Sequence, residues 1–236
     1  MTALAEIHEH TFYLPALGPG SVVLDLGAAS GGFAAEVSRL KGCTCHCAEA
    51  SPGMLDSMIE TEGVHHHHAA IGGAVGPMRM AVGGREFGRF WVRTTNGEDA
   101  GEGNDEIEVP GETLGSFMAR CDVERADLVK VDIEGAEFDM FDAASDDTLS
   151  AIGQFSVEFH DFLDPALTPK VKAVIARLEN LGFETIVMTR HAHGDVVFLN
   201  RAMLQIEAWQ LFYMRTAIKY GRGVRRLLSR RLGRAA

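Results

Sequence analysis

SVVLDLGAASGG, residues 21–32, is the stretch that decides the fold. An apolar run of strand length, Val22 to Leu26, enters a glycine-rich turn and then an alanine-rich helical stretch. Gly27, Gly31 and Gly32 fall where a strand must turn sharply beside a ligand, and glycine permits positive φ and close backbone approach. The spacing is Gly-x-x-x-Gly, not the Gly-x-Gly-x-x-Gly that sets a helix onto a dinucleotide pyrophosphate.

Downstream, strand and helix signals alternate: CTCHCAEA (43–50), a helix through Met58, then GVHHHHAAI (63–71). That alternation predicts a parallel sheet. Two shorter strand-like runs follow, PMRMAVGG (77–84) and EFGRFWVRTT (86–95), and then NGEDAGEGND (96–105), which reads as a mobile surface loop. The pattern resumes with a helix over Leu114 to Cys121, a strand DLVKVDI, a helix beginning near Gly135, a strand QFSVEFH (154–160) and a helix from Pro169 to Leu181. FETIVMT and DVVFLNR, joined by the tight turn RHAHG, close the pattern as a hairpin. Seven strands ending in an antiparallel hairpin fit a doubly wound, mostly parallel α/β sheet. Glu49 ends the second strand about 20 residues past the glycine turn, where a carboxylate can accept both hydroxyls of a ribose at the switch point of such a sheet.

The chain has 236 residues, 46% hydrophobic and 23% charged, enough to bury one substantial core. No apolar run approaches the roughly 20 residues that span a bilayer, and MTALAEIHEH lacks the layout of a secretory signal, so a cytoplasmic protein is expected. Cys43, Cys45 and Cys47 alternate along one strand and read as small buried residues, not as a disulfide framework or a metal site. The net charge of −11 is unevenly spread. Residues 208–236 hold eight of the 22 Lys and Arg and no acid, leaving 14 basic against 33 acidic side chains before them.

Residues 128–141, LVKVDIEGAEFDMF, contain Lys-x-Asp-x-Glu-Gly-x-Glu at a strand end. Together with DLGAASG in the first loop, AAIGG, VPGETLGSF and SVEFH, this string resembles the FkbM family of S-adenosylmethionine-dependent methyltransferases over roughly residues 20–200. The resemblance implies a Rossmann-like class I methyltransferase fold, a methyl donor bound across the first two strands, and O-methylation of a small molecule or sugar. Two positions depart from it: Ala29 stands where the family generally has Asn, and Gly115 where it commonly has Asp. By the same likeness Gly27, Ala28, Ser30 and Gly31 line the methionine and ribose side, Glu49 holds the ribose hydroxyls, Ala50 and Ser51 run alongside the adenosine, and Ala70 and Ile71 flank the adenine.

Asp25 ends the first strand near the cofactor's cationic end, where it either pairs with an ammonium or holds the loop through backbone N–H groups. Asp132 and Glu134 lie two apart at a strand end, with Glu137 one helical turn behind. Three explanations for these carboxylates stand open: attraction to the cationic cofactor, a divalent metal such as magnesium or calcium with His160 as a further ligand, or a helix N-terminus, which accounts best for Glu137. On the fifth strand Glu158 and His160 are expected to share a face, and His160 is the preferred general base for an acceptor hydroxyl, assisted by Asp132 and Glu134. His65 to His68 read as strand residues, and His191 and His193, in the turn of the last hairpin, either border the acceptor pocket or are simply exposed turn residues.

From Leu204 the chain reads as a basic amphipathic tail, with Leu204, Ala208, Leu211 and Phe212 on one face, then Val224, Leu227, Leu228 and Leu232. The division expected is an N-terminal segment over 1–20, a methyltransferase domain over 21–201 and the tail over 202–236. The tail either packs on the domain with a solvated basic face or meets an anionic membrane surface or a second subunit, whereas nucleic acid is disfavoured by the acidic domain. The other function class left open is a non-catalytic cofactor-binding or membrane-associated assembly protein.

Overall fold

The computed structural model describes residues 4–82, 92–94, 105–189 and 192–218. The chain opens with an antiparallel hairpin, β1 (Leu4–Ile7) and β2 (His10–Tyr13). Then come β3 (Val22–Leu26), α1 (Gly32–Lys41), β4 (Thr44–Glu49), α2 (Pro52–Leu55), β5 (Val64–His68), β6 (Ala70–Ile71), β7 (Gly76–Val82), β8 (Val92–Thr94) and β9 (Asp105–Glu112). The second half runs α3 (Leu114–Arg120), β10 (Leu128–Val131), α4 (Glu137–Ala143), α5 (Asp146–Ser150), β11 (Gln154–Val157), α6 (Thr168–Asn180), β12 (Phe183–Val187), β13 (Val196–Asn200), α7 (Arg201–Leu204) and α8 (Ala208–Tyr213).

A seven-stranded sheet in the order β5-β4-β3-β10-β11-β13-β12 forms the core, and only β13 runs against the rest. This is the doubly wound sheet that the alternating pattern predicts, with its C-terminal hairpin. Its central strands are buried on both faces: Val23, Leu24, Leu26, Val129 and Val131 are inaccessible to solvent. Each such side chain contributes roughly 1.5–3 kcal/mol of burial. Phe33, Ala34 and Val37 of α1 cover one face together with Cys45 and Cys47, so the cysteines do pack as small apolar residues there. On the other face α6 lays Val171, Val174 and Leu178 onto a cluster that includes Phe141, Phe155, Phe159 and Phe198.

Several elements differ from the sequence expectation. The helix expected through Met58 is a single turn, α2, because the chain must return for Ile59 N–H to donate to Ser30 O at 3.0 Å. GVHHHHAAI breaks at Ala69, whose N–H donates to Glu49 O, so β5 joins the main sheet while β6 pairs with β9 in a second, four-stranded sheet. The strand expected over 154–160 stops at Val157, since Phe159 N–H turns to His193 O, and His160 begins a short 3-10 turn. The link between β12 and β13 is longer than a tight turn because Asp195 pairs back to Met188 and its carboxylate reaches Thr11.

The acidic run 96–104 lies outside the described residues. So do residues 219–236, with Val224, Leu227, Leu228 and Leu232 of the expected second apolar face. In the described part of the tail Leu211 is buried with Ile206 and Met214, but Phe212 is 70% exposed. Leu211 and Phe212 are neighbours within α8, about 100° apart around its axis, so Phe212 turns away from the face that Leu211 buries. The N-terminal segment folds onto the sheet: Tyr13 exchanges two hydrogen bonds with the Gln154 side chain at 2.7 and 3.2 Å.

Candidate functional site

The carboxyl ends of β3, β4, β10 and β11 converge, and the site is built there. Gly27 turns the chain out of β3 at φ 75, with its N–H and that of Ala28 both donating to Ala48 O. A Cβ at position 27 would stand 1.7 Å from Asp132 O, so this glycine is required by the close passage of two strand ends. Ala29 and Gly31 also have positive φ, at 49 and 74, and Gly31 opens α1. Ala29 and Ser30 are exposed on the loop. Glu49 spans the crevice beside it, one carboxylate oxygen accepting Ala29 N–H at 2.8 Å and the other Ser51 N–H at 2.7 Å. Burial raises its pKa, and these two bonds oppose the rise. Ser51 caps α2, Ala50 O meets His68 Nε2 at 3.1 Å, and Ala70 and Ile71 are buried in β6.

Asp25 is placed differently from the expectation. It is 0% exposed and faces Lys130 Nζ at 3.0 Å, so its charge is held beneath the loop and does not line the crevice. Lys130 also donates to Gly27 O at 2.7 Å and lies 3.7 Å from Asp132 Oδ2. One buried ammonium thus ties β3, the glycine loop and the signature carboxylate together.

Asp132, Glu134 and His160 are brought together as expected: His160 Nε2 lies 3.3 Å from Glu134 Oε2 and 3.8 Å from Asp132 Oδ1. Glu134 has φ 53, a left-handed conformation that non-glycine residues seldom adopt outside constrained sites. Glu137 is fully buried at the start of α4, and its Oε1 accepts from His160 Nδ1 at 3.0 Å and from Ile133 and Gly135 N–H. Burial works against a charged imidazole, but the Glu137 bond and the three carboxylates outweigh it and raise His160 to about 9. Burial would likewise raise Asp132, yet the neighbouring His10 and the charges of Lys130 and His160 hold it at about 2. Glu158 goes the other way: burial, reinforced by the Asp132 charge, lifts it to about 7.

Ligand atoms of Asp132, Glu134 and His160 lie within 4.8 Å of one another, as do those of His10, Asp132 and Glu158. His10 of β2, Nε2 3.7 Å from Asp132, carried no sequence signal, since HEH near a chain start has no period. Lys130 also went unread, though a lone charge inside an apolar strand is a signal that could have found it. His191 lies outside the described residues, and His193 clamps Asp161 through its N–H at 3.0 Å and Nδ1 at 2.7 Å. A cavity of about 560 Å³ lined by Ser38, Arg39, Thr61 and Gly63 sits at the opposite, amino ends of β4 and β5 and holds none of this chemistry.

Residues 25–185 match the family described as the methyltransferase FkbM domain. No curated protein matches the chain. Among solved structures it is similar to precorrin-6y C5,15-methyltransferase from Geobacter metallireducens, at 14% identity and TM-score 0.41, over 79% of this chain and 82% of that one. It is similar to a TehB-like SAM-dependent methyltransferase from Corynebacterium glutamicum, at 11% identity and TM-score 0.39, over 79% and 83%. A third similar structure is phosphoethanolamine N-methyltransferase 2 from Haemonchus contortus in complex with S-adenosyl-L-methionine, at 12% identity and TM-score 0.37, over 73% and 36%.

Proposed function

The chain belongs to the methyltransferase FkbM domain family, and from that premise we propose that it methylates a hydroxyl oxygen of a small molecule or sugar with S-adenosylmethionine. The observation that carries an oxygen acceptor is the group of proton-handling side chains, Asp132, Glu134, Glu158 and His160, beside the Gly27–Gly31 loop. A hydroxyl must lose its proton as its oxygen forms the new bond, so it needs a nearby acceptor for that proton.

The crevice fits the cofactor. The exposed backbone of Ala29 and Ser30 and the fixed carboxylate of Glu49 offer polar partners to a nucleoside. Bound there, S-adenosylmethionine supplies a methyl carbon carried on a sulfonium. Asp132, ionised at all ordinary pH, sets negative charge at the end of β10. With a pKa near 9, His160 is an imidazolium at neutral pH and a poor proton acceptor. We therefore place the acceptor at Glu158, whose pKa of about 7 matches the task, and give His160 the role of a cation that positions Asp132 and Glu134.

A kcat/KM profile tests this. The rate is expected to rise with pH through about 7 as Glu158 ionises and to fall through about 9 as His160 loses its proton. Glu158→Gln should lower kcat by roughly 10²–10⁴-fold and remove the lower inflection. Full turnover with that inflection intact would exclude Glu158, and calorimetry showing no binding of S-adenosylmethionine or its demethylated product would sink the whole reading. For the tail we propose contact with an anionic membrane surface, supported by the basic sequence beyond residue 208 and by exposed Trp209, Phe212 and Tyr213 on α8.

A further inference from the structure

Away from the crevice, β4, β5 and α3 gather a second set of ligating side chains. The register sets His46 opposite His65 and Ala48 opposite His67, so His46, His65 and His67 share one face of the sheet edge. His66 and His68 turn to the other face, toward Glu60 and Ala50 O, which is why the four-histidine run is not itself a ligand cluster. Cys121, at the C-terminus of α3, closes on the first face. His46 Nδ1 lies 3.1 Å from His67 Nε2, Cys121 Sγ lies 3.7 Å from the same nitrogen, and all three ligand atoms fall within 4.8 Å of one another.

Bonds of about 2.0–2.1 Å to imidazole nitrogen and about 2.3 Å to thiolate place tetrahedral ligand atoms roughly 3.3–3.7 Å apart. The spacing on this face is already of that size. We propose that His46, His67 and Cys121 bind a divalent transition ion, zinc by its ligand chemistry, with one position left to solvent, fastening the end of α3 to the β4–β5 edge.

Protons mark where the ion enters. Arg120 only donates, and its Nη1 is 3.0 Å from His67 Nδ1, so that nitrogen holds the lone pair and Nε2 carries the hydrogen, aimed at His46 Nδ1. On binding, Cys121 releases its thiol proton to solvent and the His67 proton moves from Nε2 to Nδ1. The guanidinium must then leave Nδ1. It has somewhere to go, since its Nη2 already sits 2.7 Å from Glu112 Oε1. Arg120 and the ion therefore compete for opposite edges of one imidazole.

The test is titration of chelator-stripped, full-length protein with Co(II) and Zn(II). One equivalent is expected to bind with a thiolate-to-cobalt charge-transfer band. Cys121→Ser should abolish that band and weaken Zn(II) by about 100-fold, with His46→Gln weakening it similarly. Arg120→Gln should tighten it by about tenfold, and Asp132→Asn should leave it unchanged. Absence of the band in the unmodified protein, its survival in Cys121→Ser, or its loss in Asp132→Asn would overturn the site. An unchanged or weaker affinity in Arg120→Gln would overturn the competition at His67.

Discussion

Lys130 occupies an interior position of β10 between two fully buried valines, and its ammonium meets Asp25, Gly27 O and Asp132. Removing one partner of a buried ion pair leaves the other charged and desolvated, so Lys130→Met is expected to cost about 3–5 kcal/mol in urea unfolding. The Asp25→Leu, Lys130→Met double variant should recover most of that loss, and failure to recover would mean that the Gly27 and Asp132 contacts dominate. For His160 the sign runs with a raised pKa: its contribution is complete below about 6.5 and is lost as pH rises through about 9. That shift corresponds to about 3 kcal/mol, so the thermal midpoint should fall on the alkaline side of neutrality in the parent protein, with a shallower fall in His160→Gln. Sequence spacing brought Asp132, Glu134 and His160 to one place, but their charge states depend on Glu137 and His10. Glu137 hid behind a sufficient local explanation, a helix N-terminus that favours acids.

At the scale of elements, the β1–β2 hairpin turns through His8 and Glu9, both with positive φ, 47 and 68, as a two-residue type I′ turn requires. Neither residue favours that conformation. His8→Asn with Glu9→Gly should therefore stabilise the chain by about 1–2 kcal/mol, read as a higher thermal midpoint. A lower midpoint would mean that His8, which lies against Gly32 and 3.6 Å from Glu36, contributes more than the turn strain costs. The same absence of turn chemistry made this hairpin illegible in the sequence. The seven core strands were legible because apolar runs alternated with helical periods. In the second sheet β7 and β8 fall on the two strand-like runs, but β9 went unread: DEIEVPGE carries charges, Pro110 and Gly111 that suggest a loop, and its register comes from pairing with β7. Gly111 is needed there because a Cβ would stand 2.3 Å from Met78 Cγ.

Across the whole molecule, both ends of the described chain share one apolar cluster, in which Leu4 and Tyr13 of the hairpin pack with Ile206, Leu211 and Met214. No helix among the described residues is long and apolar enough to cross a membrane. Trp209 and Phe212, 68% and 70% exposed, project from α8 ahead of the basic residues. Because both side chains lie outside the cluster, Trp209→Ser with Phe212→Ser should spare the fold. It should reduce flotation with phosphatidylserine vesicles, as should removal of 219–236. Equal flotation of all three proteins would remove the membrane contact. The composition exposed the charge asymmetry, but which side of the apolar stripe docks, Leu211 and not Phe212, is decided by packing against the N-terminal hairpin. The passage of Gly27 against Asp132, too close for a methyl group, reaches further than local packing. Under the proposed function it would give methyl donor and acceptor a common datum, so that surrounding loops could lengthen, shorten or exchange residues for new acceptors while the alignment needed for transfer stayed fixed.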